Sequence, residues 1–170
     1  NRLIASAQDL ATQGQLREAL IYARAGIIRA PANRYGRLLL SQLLLAAGRP
    51  DTAQQTLLEG LPYHRANPIY LKALFGFLLE RQEDDRVIGI ARELLAASAI
   101  DTDPARICAL AAATASHLRG QYDHAEDLLH SVPRLASSRD GRLLAARIDW
   151  DRSYHALALV ELRALTAEYG

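Results

Sequence analysis

The chain is poor in sulfur and in lysine. Its 170 residues contain no methionine, one cysteine and a single lysine, Lys72. One cysteine excludes an internal disulfide bond. Because every other Lys/Arg position is arginine, we interpret the composition as that of a GC-rich bacterial genome. The missing methionine and the immediate start in a helical pattern indicate a piece of a longer protein, so any leader peptide would lie outside this sequence.

Strong net charge, long apolar runs and aromatic residues are also scarce. The formal net charge is +1, which gives no basic footprint for nucleic acid. The sequence contains no apolar run of about 18 residues, so no segment of it is expected to span a membrane. Aromatic residues make up 6% of a chain that is half hydrophobic, mainly through leucine and alanine. This composition favours close-packed helices over a β-sandwich.

What the sequence does contain is a recurring corner between two helical patterns. In the clearest copy, residues 48–53, Gly48 can end one helix in a left-handed conformation and Asp51 can cap the next, with the exact boundary left open by Pro50 and Thr52. Small Ala53 lets the two helices approach closely. Copies of this corner begin at Gly14, Gly48, Gln82, Gly120 and Asp151; the first two intervals are equal, the third is longer and the last is shorter. Self-similarity at a period of about 34 residues is the signature of a solenoid.

The sequence resembles the tetratricopeptide repeat in four features: the period of about 34 residues, the corner glycine, the alanine five positions later, and Pro31. The resemblance covers essentially the whole chain, although the third copy has neither the glycine nor the alanine. It implies an all-α fold: a right-handed superhelix (α-solenoid) of about five antiparallel helix hairpins in a single domain, 1–170. The expected repeats are 1–33, 34–67, 68–103, 104–137 and 138–170.

Proline and small polar residues punctuate the helical patterns. We expect one helix to stop at Pro62, and Asn67-Pro68 and Asp103-Pro104 to start two others. Residues 132–138 form the longest predicted loop and a candidate hinge.

Two further patterns leave alternatives open. The acidic run 83–85 indicates either a helix cap or a docking patch for a basic partner. The last helical pattern, 152–169, is apolar enough that we expect another repeat after it in the full protein.

Candidate catalytic and metal-binding groups are few. His124, Glu126 and His130 are close in sequence, but His124 is rotated away from the other two, and zinc needs three or four converging ligands. A solvated helix face is the better interpretation. Cys108 lies in an apolar helical pattern, where free cysteine behaves as a small hydrophobic residue. The sequence contains no phosphate-loop or nucleophile-elbow motif. We therefore expect no enzymatic activity, no metal site and no cofactor.

A small basic and aromatic cluster occurs once, at Arg29, Arg34, Tyr35 and Arg37. Nucleic-acid binding by helical repeats would need such a pattern in every repeat. We therefore interpret the cluster as a solvated rim and expect no nucleic-acid partner.

In tetratricopeptide arrays the first helix of each repeat lines the concave face, and the resemblance implies the same surface here. Such a groove would be largely apolar and would suit a docking helix or extended segment of a protein partner. Alternatively, its leucines pack against each other inside a tight superhelix. The expected partner-binding residues are Ile4, Gln8, Tyr35, Leu38, Gln42, Leu45, Ile69, Lys72, Gly76, Leu79, Ile107, Leu110, Thr114 and His117.

Some members of the family clamp the C-terminal carboxylate of a chaperone with Lys, Asn and Arg on these helices. Here Ile4, Gln8 and Ala73 stand at three of the clamp positions. A chaperone-binding role is therefore not expected.

Two functional hypotheses remain. The first is a non-enzymatic scaffold that binds a protein or peptide on its concave face, because the Ala/Leu/Arg-rich repeats resemble those of bacterial envelope proteins, for instance in exopolysaccharide export. That setting favours the periplasm over the cytoplasm. The second is a helical sensor domain of a cytoplasmic transcription regulator that binds a small effector or an inhibitory protein. A signal peptide in the full protein would favour the first, and a helix-turn-helix the second.

Overall fold

Helices account for most of the described chain. The computed structural model describes residues 2–169, and over that range it contains no strand. Contacts group the chain into a first compact unit that ends at Phe77 and a second that begins at Leu78. The helices of the described range are α1 Arg2–Thr12, α2 Leu16–Arg29, α3 Arg34–Ala46, α4 Pro50–His64, α5 Pro68–Glu80, α6 Asp84–Ala97, α7 Asp103–Leu118, α8 Tyr122–Ser131, α9 Arg139–Asp151 and α10 His155–Tyr169.

The described helices form consecutive pairs, α1/α2, α3/α4, α5/α6, α7/α8 and α9/α10, and the same backbone turn joins the two helices of each pair. At Gly48 the N–H bonds to the carbonyl of Leu45 at 2.9 Å, and the next N–H, of Arg49, bonds to that of Leu44 at 2.8 Å. This Schellman pattern satisfies the last carbonyls of the helix and turns the chain into the next one. The left-handed residues have φ of 76° at Gly14, 69° at Gly48, 58° at Gln82, 72° at Gly120 and 68° at Ser153.

Four of the five predicted corners are confirmed, and the fifth lies two positions later than predicted. Helix α9 continues to Asp151, and the left-handed residue is Ser153, about one repeat after Gly120. The buried alanine five positions on is Ala158, with no exposed surface. The predicted position relies on Ala156, which is exposed. Burial of the small residue between the two helices therefore fixes where the corner falls.

Side chains cap the first helices of the second to fifth pairs. Asn67 Oδ1 accepts from the Tyr70 N–H at 3.0 Å, which confirms the predicted start at Asn67-Pro68. For α7 the cap is Thr102 and not Asp103, which lies in the first turn and pairs with Arg106 at 2.6 Å. The remaining caps are Asn33 to the Gly36 N–H at 2.8 Å and Ser138 to the Gly141 N–H at 3.1 Å.

Two expectations about the second helices need correction. Asp51 lies in the first turn of α4, because the cap position is held by Arg49 and Pro50 is the first helical residue. A carboxylate there still faces the positive end of the helix dipole. Helix α4 does not stop at Pro62 but continues to His64. The last turn persists because His64 is buried, with its ring centroid 4.5 Å from that of Tyr70.

The predicted loop after α8 is present, but it is anchored. Val132 and Leu135 are buried in the core of the second unit, together with Leu144 of α9. A Cβ added to Gly141 would lie 2.0 Å from the Leu135 carbonyl oxygen, so the loop runs directly over the start of α9. Such anchoring argues against the predicted hinge.

The core of the second unit is built on a stripe of alanines. Ala105, Ala109 and Ala113 recur at every fourth position on α7 and are all buried. Against them pack Leu144 and Ile148 of α9. Small residues on one helix thus make room for branched residues on the next, which sets how α9 sits on the pair before it.

Candidate interaction surfaces

The predicted partner-binding residues of the first unit lie on equivalent positions of three helices. Ile4 and Gln8 belong to α1, and the same positions recur one repeat later as Leu38 and Gln42 on α3. Tyr35 is likewise followed one repeat later by Ile69 on α5. None of the predicted residues, all within the described range, is buried. Exposed are Gln8, Tyr35, Gln42, Leu45, Ile69 and Lys72; half-buried are Ile4, Leu38, Gly76, Leu79, Ile107, Leu110, Thr114 and His117.

Helix α3 separates its apolar residues into two faces. Leu39, Leu40, Leu43 and Leu44 are buried, with Leu44 having no exposed surface. On the other face Tyr35 is 65% exposed and Leu45 is 42% exposed, and on α5 Ile69 is 55% exposed. Leucine occupies most positions of α3 between residues 38 and 45, yet the helix is covered on one side only. We call residues 35, 38, 42, 45, 69 and 72 the first-unit stripe.

A buried polar cluster holds α3, α4 and α5 together behind this stripe. The Arg37 guanidinium donates from Nε to the Pro31 carbonyl at 2.8 Å and from Nη1 to the Thr56 carbonyl at 3.1 Å. The Tyr70 hydroxyl donates to the Leu57 carbonyl at 2.6 Å, and burial raises the pKa of Tyr70 to about 12. Because its guanidinium is engaged with these carbonyls, Arg37 serves packing and is not part of a free basic patch.

His64 completes the cluster in an unusual way. It is 8% exposed, and within residues 2–169 its Nε2 has no hydrogen-bond partner. Burial, followed by the charges of Arg37 and Arg34, lowers the pKa of His64. The ring is therefore neutral in the folded protein near pH 7.

Ile4 differs from its equivalents because it is engaged in helix packing. A Cβ added to Gly26 would lie 2.4 Å from Ile4 Cδ1, and one added to Gly36 would lie 2.7 Å from the same atom. The two glycines therefore make the room that the Ile4 side chain occupies between α1, α2 and α3. Of the two predicted α1 residues, only Gln8 is exposed.

In the second unit, the predicted residues of α7 are partly used by the fold. His117 Nε2 lies 2.8 Å from Asp151 Oδ2 on α9, and its ring centroid is 5.9 Å from that of Tyr122. The Thr114 hydroxyl donates to the Leu110 carbonyl of its own helix at 2.8 Å. Leu110 is half-buried and packs against the core of the second unit, and Ile107 is a half-buried apolar position on α7.

The sequence analysis predicts partner-binding residues in the first four repeats and none in the fifth. The corner at Ser153 corresponds to the corner at Gly120, and this register relates Leu110, Thr114 and His117 to Leu143, Arg147 and Trp150. Trp150 is 47% exposed. The signal that identifies these residues is the buried position of Ala158, which corresponds to Ala125 and sets the correct register.

Two neighbouring cavities lie along α9 and α10. The larger is about 560 Å³ and the smaller about 260 Å³, and both are lined by Leu162. The larger is also lined by His117, Ala146, Arg147, Trp150, Asp151 and Leu159. The smaller is also lined by Arg139, Leu143, Leu165, Thr166 and Tyr169. Both linings are mainly apolar, and each includes an arginine.

The polar groups considered as catalytic or metal-binding candidates are separated in the fold. His124 Nδ1 lies 3.0 Å from Ser116 Oγ, whereas Glu126 pairs with Arg152 at 3.0 Å. Cys108 is fully buried, which raises the pKa of its thiol to about 12. Among residues 2–169 no three or more His, Cys, Asp or Glu side chains converge as a metal site. Within the same range no helix has both the length and the apolarity to cross a bilayer.

The acidic run at the start of α6 is paired with arginines. Glu83 accepts from Arg86 at 2.8 Å, and Asp85 pairs with Arg119. Glu83 is at the cap position without making a side-chain cap bond, and Asp84 and Asp85 are in the first turn. This arrangement favours the helix-start interpretation over a docking patch for a basic partner.

The chain matches no protein-family model, and no curated protein matches it in sequence. Solved structures do match. A tetratricopeptide repeat protein from Parabacteroides merdae superposes with a TM-score of 0.73 at 18% identity, over 98% of this chain and 65% of that one. PilF of Pseudomonas aeruginosa gives 0.67 at 16% identity, over 99% and 75%. MamA of Desulfovibrio magneticus gives 0.68 at 12% identity, over 97% and 92%.

These likenesses define the class of fold. The chain is an all-α helical-repeat solenoid of the tetratricopeptide type, as the sequence predicts. Identities this low carry the architecture and leave the activity to be argued from the chain's own surface.

Proposed function

We propose that this chain is a non-enzymatic scaffold that binds a protein or peptide segment along the first-unit stripe. The observation that carries the proposal is the exposure of Tyr35, Leu45 and Ile69 on neighbouring first helices. Holding large apolar side chains in water is unfavourable, so several of them exposed on the first helices of consecutive repeats are a candidate binding surface.

The chemistry of the stripe fits a mixed apolar and polar segment. Gln42 and Lys72 are exposed among the apolar residues and can bond to backbone or carboxylate oxygens of a ligand. The buried Arg37–Tyr70 cluster behind the stripe keeps α3, α4 and α5 in fixed positions. A preorganised surface loses less entropy when its partner binds. We infer no nucleic-acid partner, because the net charge is +1 and Arg37 is engaged internally.

A bacterial envelope setting, such as exopolysaccharide export, is the context we favour for this scaffold. It is supported by the resemblance of the Ala/Leu/Arg-rich repeats alone. The competing context is a sensor domain of a cytoplasmic transcription regulator that binds a small effector or an inhibitory protein.

Affinity capture with two matched variants tests the proposal. The full chain, Ile69→Glu and Ile21→Glu are each used to capture proteins from a lysate of the organism that encodes it. Ile69 and Ile21 are 55% and 62% exposed, on α5 and α2, so both variants are expected to fold. A partner lost by at least about ten-fold with Ile69→Glu and kept with Ile21→Glu supports the stripe as the binding surface.

Equal capture by both variants would contradict the proposal. If a partner is lost with Ile69→Glu alone, the identity of that partner decides the setting, and an envelope protein supports the first context. A stripe that captures nothing, while a small molecule from the lysate raises the melting temperature, would favour the sensor.

A further inference from the structure

A cavity of about 290 Å³ lies within the second unit, between α6, α7 and α8. Its apolar walls are formed by Ile88, Leu95 and Ala96 of α6, Ala112 of α7 and Leu128 of α8. Because all three helices lie within the repeat array, the cavity is present whatever precedes or follows this sequence. A helix with its side chains is about 10–12 Å across, too wide for this space, whereas the volume is close to that of the smaller pockets that hold small molecules.

An alanine on α7 opens this cavity. Counted from the corner residue of each repeat, Ala112 stands where the two preceding repeats have Leu40 and Leu74. Both leucines are buried, at 6% and 0% exposure. Ala112 is also buried, so its position remains inside the fold but lacks the side chain that fills it in those repeats. An apolar space left by a small residue costs stability and can take up a small apolar molecule.

Two nitrogen-bearing side chains line the same cavity at its open side. Arg92 stands one repeat after Leu58 of α4, so a cation here replaces an aliphatic residue. Arg92 is exposed, and within residues 2–169 it has no carboxylate partner. His124 is also exposed, and its Nδ1 lies 3.0 Å from Ser116 Oγ, which leaves Nε2 for a ligand. The replacement that opens the cavity is thus accompanied by one that places a cation beside it.

The acidic residues of α6 and α8 do not cancel this charge. Asp123 and Glu126 are both engaged by Arg152. Glu93 and Asp127 are exposed and lie outside the cavity lining, which includes no carboxylate among the described residues. Apolar walls with an arginine and an imidazole at the opening are complementary to a ligand that has a short hydrocarbon body and one carboxylate.

We propose that the second unit binds a small amphipathic carboxylate, a short fatty acid or an aryl-alkanoate, in the α6/α7/α8 cavity. The hydrocarbon part occupies the space that a leucine fills in the two preceding repeats. The carboxylate pairs with Arg92, whose guanidinium can donate two parallel hydrogen bonds to it, and accepts from His124 Nε2. This site is separate from the first-unit stripe and does not depend on its function.

Calorimetric titration of the full chain with three probes tests the proposal. Octanoate and 3-phenylpropionate share the carboxylate and differ in the hydrocarbon body, whereas octylamine keeps the chain of octanoate and reverses the charge. The proteins are the wild type, Ala112→Leu, Arg92→Glu and Arg163→Glu. Ala112→Leu restores the residue of the preceding repeats and fills the cavity. Arg163 is exposed on α10 and does not line the cavity, so Arg163→Glu is the matched control for Arg92→Glu.

We expect saturable binding of at least one carboxylate to the wild type, about five-fold or more tighter than octylamine. The tighter of the two carboxylates identifies a chain or a ring as the preferred body. Arg92→Glu should weaken carboxylate binding by about five-fold or more, and Arg163→Glu should keep it. Ala112→Leu should abolish binding without lowering the melting temperature, a combination that a merely damaged fold would not give.

Three results would overturn the proposal. One is the absence of saturable binding by either carboxylate up to about 10 mM. Another is carboxylate binding that Arg92→Glu leaves unchanged, a test that stands even if Ala112→Leu fails to fold. The third is a folded Ala112→Leu protein that binds as tightly as the wild type, which would place the ligand outside the cavity.

Discussion

Gly60 is the position at which one added methyl group should disturb the first unit most. A Cβ there would lie 2.0 Å from the Tyr70 hydroxyl oxygen and 2.5 Å from Arg37 Cδ, both far below van der Waals contact. Gly60→Ala must therefore displace the Tyr70–Leu57 and Arg37–Thr56 hydrogen bonds. Overpacking costs about 1–3 kcal/mol. A buried hydrogen bond left unmade costs about 1–3 kcal/mol more.

Alanine also favours the helix by about 1 kcal/mol over glycine, which offsets part of the loss. We expect Gly60→Ala to lower the free energy of unfolding by about 3 kcal/mol. Urea denaturation followed by far-UV circular dichroism measures it. Gly89→Ala is the matched control, because a Cβ at Gly89 in α6 meets no atom within 4 Å. That variant should be stabilised by about 0.5–1 kcal/mol.

A Gly60→Ala protein as stable as Gly89→Ala would refute this reasoning. It would mean that Tyr70 and Arg37 move aside at no cost and do not fix α3, α4 and α5. The first-unit stripe would then lack the rigid support that the proposed function assigns to it.

Three further outcomes follow from the same geometry. Gln82 and Ser153 adopt positive φ without being glycine, so Gln82→Gly and Ser153→Gly should each raise the free energy of unfolding by about 0.5–1 kcal/mol. Gly48→Ala should lower it by about 1 kcal/mol. Urea denaturation checks all three variants, and a destabilising Ser153→Gly would contradict the corner assignment. Folding lowers the pKa of His64, so below pH 6.5 the unfolded chain binds more protons than the folded chain. The contribution of this group to the free energy of unfolding should therefore be full above pH 6.5 and should fall as the pH drops to the lower pKa of the folded state. His64→Gln should flatten this dependence relative to His130→Gln, an exposed control, in denaturation at a series of pH values. Cys108, fully buried with its pKa raised to about 12, should react with a thiol reagent only as fast as the second unit opens, so mild urea should accelerate labelling strongly.

The sequence predicts the helices well because their ends carry local chemistry. The corners at Gly14, Gly48 and Gly120 need a residue that tolerates positive φ, and Asn67 precedes a proline. Each of these signals acts within a few residues. Sequence patterns misplace the end of α4 and the fifth corner because tertiary contacts decide them: the stacking of His64 on Tyr70 and the burial of Ala158.

The candidate surfaces are less accessible to sequence reasoning. The two faces of α3 cannot be separated by composition, because leucines occupy both, and only burial distinguishes Leu44 from Leu45. The cavities along α9 and α10 are hidden for a second reason. The register of these helices depends on the corner at Ser153, where the expected glycine is absent, so the sequence alone does not align Trp150 with His117.

The central claim is that the first-unit stripe binds a partner, and cross-linking in living cells tests it most directly. Tyr35 and Tyr22 are each replaced by p-benzoylphenylalanine; they are 65% and 41% exposed, on α3 and α2 of the same unit. We predict one discrete cross-linked protein from position 35 and none of it from position 22. The same product from both positions, or none from position 35 in a folded, expressed chain, would contradict the claim.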